Sequence, residues 1–144
     1  MDKDKLLSAL ENEKNENIMY TNYGNIKSEK NDILQKLPLE RNVLKEFHKK
    51  LKYYKYIEYP EDLEYGYYIR WINLRNPENI KLTNGGLIID MQICDDILCV
   101  TCKNAYNRIF RLNFSECLVF QKITQQEHIL LKVMDYLQVQ GEKN

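Results

Sequence analysis

The sequence predicts an α+β fold, a small five-stranded antiparallel β-barrel flanked by an N-terminal amphipathic helix and a capped C-terminal helix. Five short segments between Gly66 and Ile123 are rich in β-branched and aromatic residues and are separated by Asn, Asp, Gly or Pro. Apolar residues recur at helical spacing after Pro38, and a helix-start motif, TQQE, follows the last segment. The expected regions are a polar leader (1–31), a helical segment with a basic face (32–59), and the barrel with its C-terminal helix (60–144).

Composition limits the class of protein. The chain has 144 residues, enough for one domain, with 21 basic and 21 acidic side chains. This balance gives no overall field that would attract nucleic acid or anionic lipid. The N-terminus has no apolar signal-peptide core, and no window is long and apolar enough to span a membrane. We therefore expect an intracellular, cytoplasmic protein without membrane contact, whose four cysteines are reduced.

The leader and the first long helix differ in pattern. The leader has a short helical pattern at Leu6, Leu7 and Leu10 and then a polar stretch without a period, so part of it is expected to be mobile. Proline is tolerated in the first turn of a helix, so Pro38 is expected to begin a helix that runs to about Tyr54. Its apolar face repeats every four residues, at Leu39, Val43, Phe47 and Leu51.

The predicted strands are connected by one long loop and three tight turns. The long loop, RNPENIKLTNG, follows the first strand, whereas CDD, KNAY and SE are short enough for hairpins. This connectivity resembles that of Tudor-like small barrels over Gly66 to Ile123. The five segments are Tyr67–Leu74, Gly86–Ile93, Ile97–Cys102, Asn107–Phe114 and Cys117–Ile123.

The C-terminal helix begins with a capping box. The hydroxyl of Thr124 is expected to accept from the amide of Glu127, whose carboxylate reaches back to the amide of Thr124. An apolar stripe follows, and Gly141 ends the pattern. The stripe consists of Leu130, Val133, Met134 and Leu137.

Gly85 and Gly86 invite comparison with a phosphate-binding loop. Such a loop leads from a strand into the N-terminus of a helix, whereas these glycines lead into a β-branched segment. We expect a turn instead, with positive φ at Asn84 and Gly85. Asp90, Asp95 and Asp96 are an alternative carboxylate cluster for Mg²⁺, although Asp95 and Asp96 are better interpreted as a hairpin turn.

The cysteines and histidines give weak support to a metal or catalytic site. Cys99 and Cys102 have the two-residue spacing of a zinc knuckle, but strand alternation sends them to opposite faces. Buried reduced thiols are the main expectation, and no cofactor, metal or catalytic residue is predicted. A zinc site formed by Cys94, Cys99, Cys102 and Cys117 remains a weak alternative.

The helix after Pro38 carries the most concentrated basic surface. Its lysines and arginines are charges for phosphates, and tyrosines beside them are rings for stacking. The alternative is that the four carboxylates in residues 58–64 neutralise this surface. The candidate nucleic-acid contacts are Arg41, Lys45, Lys49 and Lys52, with Arg70, Arg108 and Arg111 on the barrel.

Aromatic residues are concentrated just before and within the first predicted strand. Seven tyrosines lie between residues 53 and 68, and tyrosine and tryptophan are enriched at protein interfaces. The candidate partner-binding residues are Tyr53, Tyr54, Tyr56, Tyr67, Trp71 and Arg75, with the loop Arg75 to Asn84. A cage for a methylated ammonium is a further candidate, formed by Tyr67, Trp71, Tyr106 and Phe110.

Three stretches carry a further resemblance: YGYYIRWINLRNPENIKLTNGGLIID, CKNAYNRIFRLNFSECLVFQKIT and EHILLKVMDYL. Together they resemble a family of small proteins from giant, nucleocytoplasmic large DNA viruses, over Tyr53 to Leu137. The resemblance implies a viral protein that acts in a cytoplasmic factory or is packaged in the virion. It brings no catalytic residue with it.

The predicted function is non-catalytic binding, with another protein as the favoured partner. This prediction depends on the surplus of aromatic residues and on the lack of an assembled catalytic set in the sequence. A nucleic-acid-binding module that uses the basic helix is the first alternative. A small metalloprotein or enzyme without an assignable site is the second.

Overall fold

The structure is a computed structural model that describes residues 3–15, 18 and 21–143. Within them the fold is α+β, with four α-helices and one six-stranded antiparallel sheet. The helices are α1 (Lys3–Glu11), α2 (Tyr23–Gln35), α3 (Arg41–Lys50) and α4 (Gln125–Lys143). The strands are β1 (Tyr54–Ile57), β2 (Tyr68–Asn73), β3 (Gly86–Cys94), β4 (Ile97–Lys103), β5 (Ile109–Asn113) and β6 (Cys117–Lys122).

The chain forms two compact units. A helix unit combines Met1–Asp32 with Ile123–Asn144, and a sheet unit contains Ile33–Lys122. The core of the helix unit contains residues from α1, α2 and α4 that are at most 4% exposed. These residues, with neighbours outside the helices, are Ala9, Ile18, Ile26, Ile123, Leu130 and Leu131.

Part of the leader is helical. The pattern at Leu6, Leu7 and Leu10 does form a helix, α1. Sequence reasoning missed α2, because its first ten residues contain only one aliphatic side chain, Ile26. The mobility expected for part of the leader stays a prediction, and its residues 1, 2, 16, 17, 19 and 20 lie outside the described residues.

The sheet has the strand order β1-β6-β2-β3-β4-β5. The five predicted strands correspond to β2 through β6, and their order along the sheet is that of a meander with β6 returning beside β2. The hairpin between β3 and β4 turns at Asp95 and Asp96, whose φ values are +51° and +63°, so the predicted turn is confirmed. The long loop and the turns at CDD and KNAY are also where the sequence predicted them. The SE connection does not form the predicted hairpin, because Phe114–Glu116 is a short 3-10 helix and β6 pairs with β2 and β1 instead of β5.

The predicted five-stranded barrel is not confirmed, because the sheet has six strands and is not closed. Closure would require β6 to pair with β5. However, β6 pairs with β2 along one edge and with β1 along the other, where Tyr54 to Ile57 oppose Lys122 to Val119. Both edges of β6 are therefore occupied, and β5 pairs only with β4 within the described sheet.

The predicted helix over Pro38 to Tyr54 is shorter in the structure, which has α3 from Arg41 to Lys50. Glu40 is extended, with φ −63° and ψ 152°, so the helix begins after it. At the other end, Tyr54 already belongs to β1. Aromatic and β-branched residues fit a pleated, half-buried surface, and pairing with β6 decides the conformation of this segment.

Two cores cover the two faces of the sheet. The inner core lies on one face, and all six strands contribute to it, whereas the outer core lies between the other face and α3. Trp71 and Val119 face the inner core, whereas Ile72 and Phe120 face the outer core. Because side chains alternate along a strand, β1, β2 and β6 contribute to both cores, whereas β3, β4 and β5 contribute to the inner core alone.

The capping box before α4 is confirmed. The amide of Thr124 donates to Glu127 Oε1 at 2.9 Å, and the amide of Glu127 donates to Thr124 Oγ1 at 3.1 Å. We expect Thr124→Ala to lower the free energy of unfolding by about 1 kcal/mol, because it removes the hydroxyl that caps the first turn. Urea denaturation tests this, with Thr124→Ser as the control that keeps the hydroxyl. Equal losses in the two variants would contradict a capping role.

No helix in the described part of the chain is both long enough and apolar enough to cross a membrane.

Candidate functional site

A pocket opens in the sheet unit beside the inner core. Its volume is about 590 Å³, which lies within the range of small-ligand sites. Its walls come from β2, from the end of the β2–β3 loop, from the β4–β5 hairpin and from β5. We call it the aromatic pocket, and the residues that line it are Trp71, Thr83, Asn84, Gly85, Asn104, Tyr106, Arg108 and Phe110.

Trp71 anchors the pocket to β2. Only 7% of its surface is exposed, and its ring meets Phe110 at 6.4 Å between centroids and an angle of 62°. This edge-to-face arrangement is a favourable geometry for aromatic pairs. The backbone of Trp71 is held by Thr83, whose Oγ1 accepts from the Trp71 amide at 3.1 Å and whose amide donates to Trp71 O at 3.0 Å. The two rings therefore form an apolar wall, with Trp71 as its buried part.

The β2–β3 loop ends tightly against β2. Gly85 has φ +87°, and a Cβ placed on it would lie 2.1 Å from the carbonyl oxygen of Ile69. The two residues before Gly85 are also bound to β2: Arg70 Nε donates to Thr83 O at 2.8 Å, and Tyr68 Oη donates to Asn84 O at 2.6 Å. The predicted positive φ is confirmed for Gly85, but it is wrong for Asn84. The structure does not support the phosphate-loop interpretation, because the glycines lead into β3 and not into a helix.

The β4–β5 hairpin presents Tyr106 and Arg108. Asn104 Oδ1 accepts from the amide of Tyr106 at 2.9 Å and from that of Arg108 at 3.0 Å. The amide of Asn104 donates to Arg108 O, and Asn107 closes the tip with φ +61°. Asparagine tolerates this left-handed conformation, which favours it in such turns. The side chain of Asn104 thus holds the backbone at both exposed residues, Tyr106 and Arg108.

The lining residues are cationic or neutral. Arg108 is the charged residue among them, and none of the others carries a carboxylate, imidazole or thiol. Within the described part of the chain, no hydrogen bond or ion pair engages the guanidinium of Arg108 or the indole N–H of Trp71. An unpaired cation beside exposed rings is thus available to a ligand.

The predicted cage is partly assembled. The structure brings Trp71, Tyr106 and Phe110 together in the aromatic pocket, but Tyr67 is not in its lining. Tyr106 is 86% exposed and Phe110 is 39% exposed, so both rings are accessible from solvent.

The other predicted partner-binding residues are dispersed. Tyr53 is 55% exposed, with Lys52 Nζ 5.4 Å from its ring centroid, whereas Tyr54 is buried in the outer core. Tyr56 packs on Phe120 at 5.7 Å between centroids. The remaining candidate is exposed and weakly paired: Arg75 Nε lies 3.6 Å from Glu116 Oε2. Only Trp71 of this set lines the pocket.

Thr83 and Asn84 belong to the loop Arg75 to Asn84 that was predicted to bind a partner, but sequence reasoning missed Gly85 and Asn104 as parts of the site. A signal for them was present. Alternate connections of an antiparallel meander lie at the same end of a sheet, so the predicted strand order could have placed the β2–β3 loop beside the β4–β5 hairpin. Their turn residues, TNGG and NAYN, would then have been placed together.

The predicted nucleic-acid residues lie on several elements. Arg41, Lys45 and Lys49 are exposed on α3, four residues apart, and no ion pair joins them to any described carboxylate. Lys52 contacts the ring of Tyr53. The three predicted arginines lie in three different environments. Arg108 lies in the aromatic pocket, Arg111 is exposed opposite Thr101, and Arg70 is hydrogen-bonded to the loop.

The cysteines do not form the alternative zinc site. No group of three or more potential metal ligands occurs among the described residues. Burial raises the pKa of the Cys102 thiol to about 12, and burial together with the Glu116 carboxylate raises the pKa of the Cys117 thiol to about 11. Zinc binds thiolates, which these values disfavour. The other two differ in exposure: Cys94 is exposed and Cys99 is half-buried.

Comparison with protein-family models, with curated proteins and with solved structures found no match for the chain. The resemblances to a giant-virus family and to Tudor-like barrels therefore stay predictions from the sequence.

Proposed function

We propose that the protein is a non-catalytic binding module that recognises a short segment of another protein through the aromatic pocket. The observation that supports this best is the meeting of Trp71, Tyr106 and Phe110 with the unpaired guanidinium of Arg108 in one accessible cavity. Tryptophan, tyrosine and arginine are the residues that most often dominate the energy of protein interfaces. The lining groups bind and orient, and they include no nucleophile paired with a base.

The ligand of this pocket is not the methylated ammonium that a cage would take. Arg108 lies in the same lining as the rings, and a second cation placed among them would be repelled by its guanidinium. A carboxylate that offsets this charge is not part of the lining. The rings therefore serve as a surface for flat or apolar groups of a neutral or acidic ligand.

The identity proposed from the sequence accompanies this function. Strands β2 to β6 are proposed to be an open relative of the Tudor-like small barrels, in which β1 pairs with the edge of β6 that closure would use. Membership of the giant-virus family would make the protein a factory-associated or packaged viral protein in the host cytoplasm.

Selection from a random heptapeptide library displayed on phage tests peptide recognition. The sequence contains one tryptophan, Trp71, so its fluorescence reports directly on the pocket. We expect selected peptides to change this fluorescence and Tyr106→Ala to weaken binding about tenfold, because an exposed anchoring ring is lost. Tyr53→Ala, which removes an exposed ring outside the pocket, is the matched control.

Two results would overturn the proposal. One is a library that yields no peptide that changes the fluorescence of Trp71. The other is equal affinity for the selected peptides in the wild type and Tyr106→Ala.

One observation favours nucleic-acid binding as a second candidate. Arg41, Lys45 and Lys49 recur at helical i, i+4 spacing on α3, and the carboxylates of residues 58–64 do not pair with them. Affinity for oligonucleotides that falls steeply with salt, and that falls again in Lys45→Gln, would support it. No binding at about 50 mM salt would remove it.

A further inference from the structure

The hydrogen-bond donors and acceptors of the aromatic pocket that are still unpaired indicate which charge its ligand carries. We infer that the pocket takes an acidic segment of the partner, with a carboxylate on Arg108 and a neighbouring aromatic or apolar side chain against Trp71 and Phe110. This inference rests on the proposed function, because it names the class of peptide that the same pocket recognises.

The acceptors of the lining are largely used within the protein. Thr83 Oγ1 accepts from the Trp71 amide, and Thr83 O accepts from Arg70. Asn104 Oδ1 accepts from two backbone amides, and its carbonyl accepts from Asn107. The carbonyl of Asn84 accepts from Tyr68. A ligand that needs acceptors, such as an ammonium group, finds few of them here.

The donors of the lining remain available. The guanidinium of Arg108, the indole N–H of Trp71 and the side-chain NH₂ of Asn104 make no hydrogen bond with the described residues. Asn84 adds a side-chain amide that is also without a partner there and that offers two N–H donors and one acceptor, its Oδ1. Donors that are unpaired in the free protein match a ligand that brings acceptors, and a carboxylate brings two oxygens and no donor.

Arg108 is suited to bind that carboxylate. A guanidinium offers parallel N–H donors that match the two oxygens of a carboxylate, and such charge-assisted bonds are roughly twice as strong as neutral ones. Its backbone is fixed on both sides by Asn104, so little backbone order has to be gained on binding. The rings of Trp71 and Phe110 lie in the same cavity and accept the apolar neighbour of the acidic residue.

One cation in the lining favours a peptide over a nucleic acid. A strand of nucleic acid presents a phosphate at every nucleotide and is bound by a track of several cations. Among the described residues that line the aromatic pocket, Arg108 is the only charged one, and Arg111 in β5 is on the face of the strand opposite to that of Phe110. A single carboxylate balances this single charge.

The test uses the selected heptapeptides and a matched set. We expect aspartate or glutamate beside an aromatic or apolar residue to be enriched. For one enriched sequence, three synthetic peptides are compared that carry glutamate, glutamine or lysine at the acidic position. Titration of Trp71 fluorescence is expected to show about tenfold to a hundredfold tighter binding of the glutamate peptide than of the glutamine peptide, and weaker binding still of the lysine peptide.

Two variants test whether Arg108 causes the preference for glutamate over glutamine. Arg108→Gln is expected to abolish the preference for glutamate over glutamine while it retains the affinity for the glutamine peptide. Arg111→Gln is the matched control, because it removes another exposed arginine, three positions along the chain in β5 and outside the pocket lining, and is expected to keep the preference.

The failures are distinguishable. Equal binding of the glutamate and glutamine peptides by the wild type would overturn the acidic class and leave peptide recognition standing. A preference that survives in Arg108→Gln would overturn the role of Arg108. A single-stranded oligothymidine that changes Trp71 fluorescence when no peptide does so would overturn both the inference and the proposed function.

Discussion

Replacing Gly85 with alanine is expected to lower the free energy of unfolding by about 2–5 kcal/mol. Two costs add up. A non-glycine residue at φ +87° pays about 1–2 kcal/mol for the left-handed backbone. The new methyl group would also lie 2.1 Å from the carbonyl oxygen of Ile69, and relief requires movement of the β2 backbone, at about 1–3 kcal/mol. Chemical denaturation with the near-UV signal of Trp71 measures the loss.

Gly66→Ala is the matched control for this experiment. Gly66 also has a positive φ, +80°, but no atom lies within 4 Å of the position of an added Cβ. Gly66→Ala is therefore expected to lower the free energy of unfolding only by the cost of the left-handed backbone, about 1–2 kcal/mol. The difference between the variants isolates the close approach of the loop to β2. If both variants lost the same free energy, the loop would not lie as close to β2 as described.

Replacing Phe120 with alanine is expected to lower the free energy of unfolding by about 3–5 kcal/mol. Its side chain has no exposed surface and lies in the outer core, against the ring of Tyr56 and under α3. Truncation removes a large apolar group and leaves a cavity between sheet and helix, because close-packed neighbours relax only in part. The measurement is equilibrium unfolding in urea, with far-UV and near-UV signals followed together.

Phe110→Ala is the control that separates burial from aromatic character. Phe110 packs against Trp71 on the opposite face of the sheet and is 39% exposed, so its truncation removes less buried area and is expected to cost about 1 kcal/mol. Equal losses from the two variants would contradict the placement of Phe120 in a fully packed core.

The strands of the sheet were predictable because their signals are local. Segments such as ILCVTC and GLIIDMQI combine β-branched residues with turn residues at both ends, and they became β4 and β3. The capping box was predictable for the same reason, since Thr124 and Glu127 are three residues apart. β1 was not predictable in this way. Its four residues follow a basic helix directly, and only pairing with β6, more than sixty residues later, makes them a strand.

The candidate site was also predictable only where the signal is local. Trp71, Tyr106 and Phe110 were named from their side-chain type, because rings on a small sheet are obvious ligand groups. Their meeting with Arg108 depends on which loops share an end of the sheet, and the loop residues matter through their backbone bonds. Tyr67 shows the limit of the approach: side-chain type alone does not place a residue in a pocket.

The occupation of both edges of β6 has a mechanical consequence. In a closed barrel every strand is held by two ladders, and a cavity at its end has a fixed width. Within the described sheet β5 pairs with β4 alone, so one ladder holds the strand next to Tyr106 and Arg108, whereas Trp71 lies on a strand that is paired on both sides. We therefore expect the separation between Arg108 and Trp71 to be the dimension of the aromatic pocket that adapts most readily, so that ligands of different thickness can meet the same chemical groups.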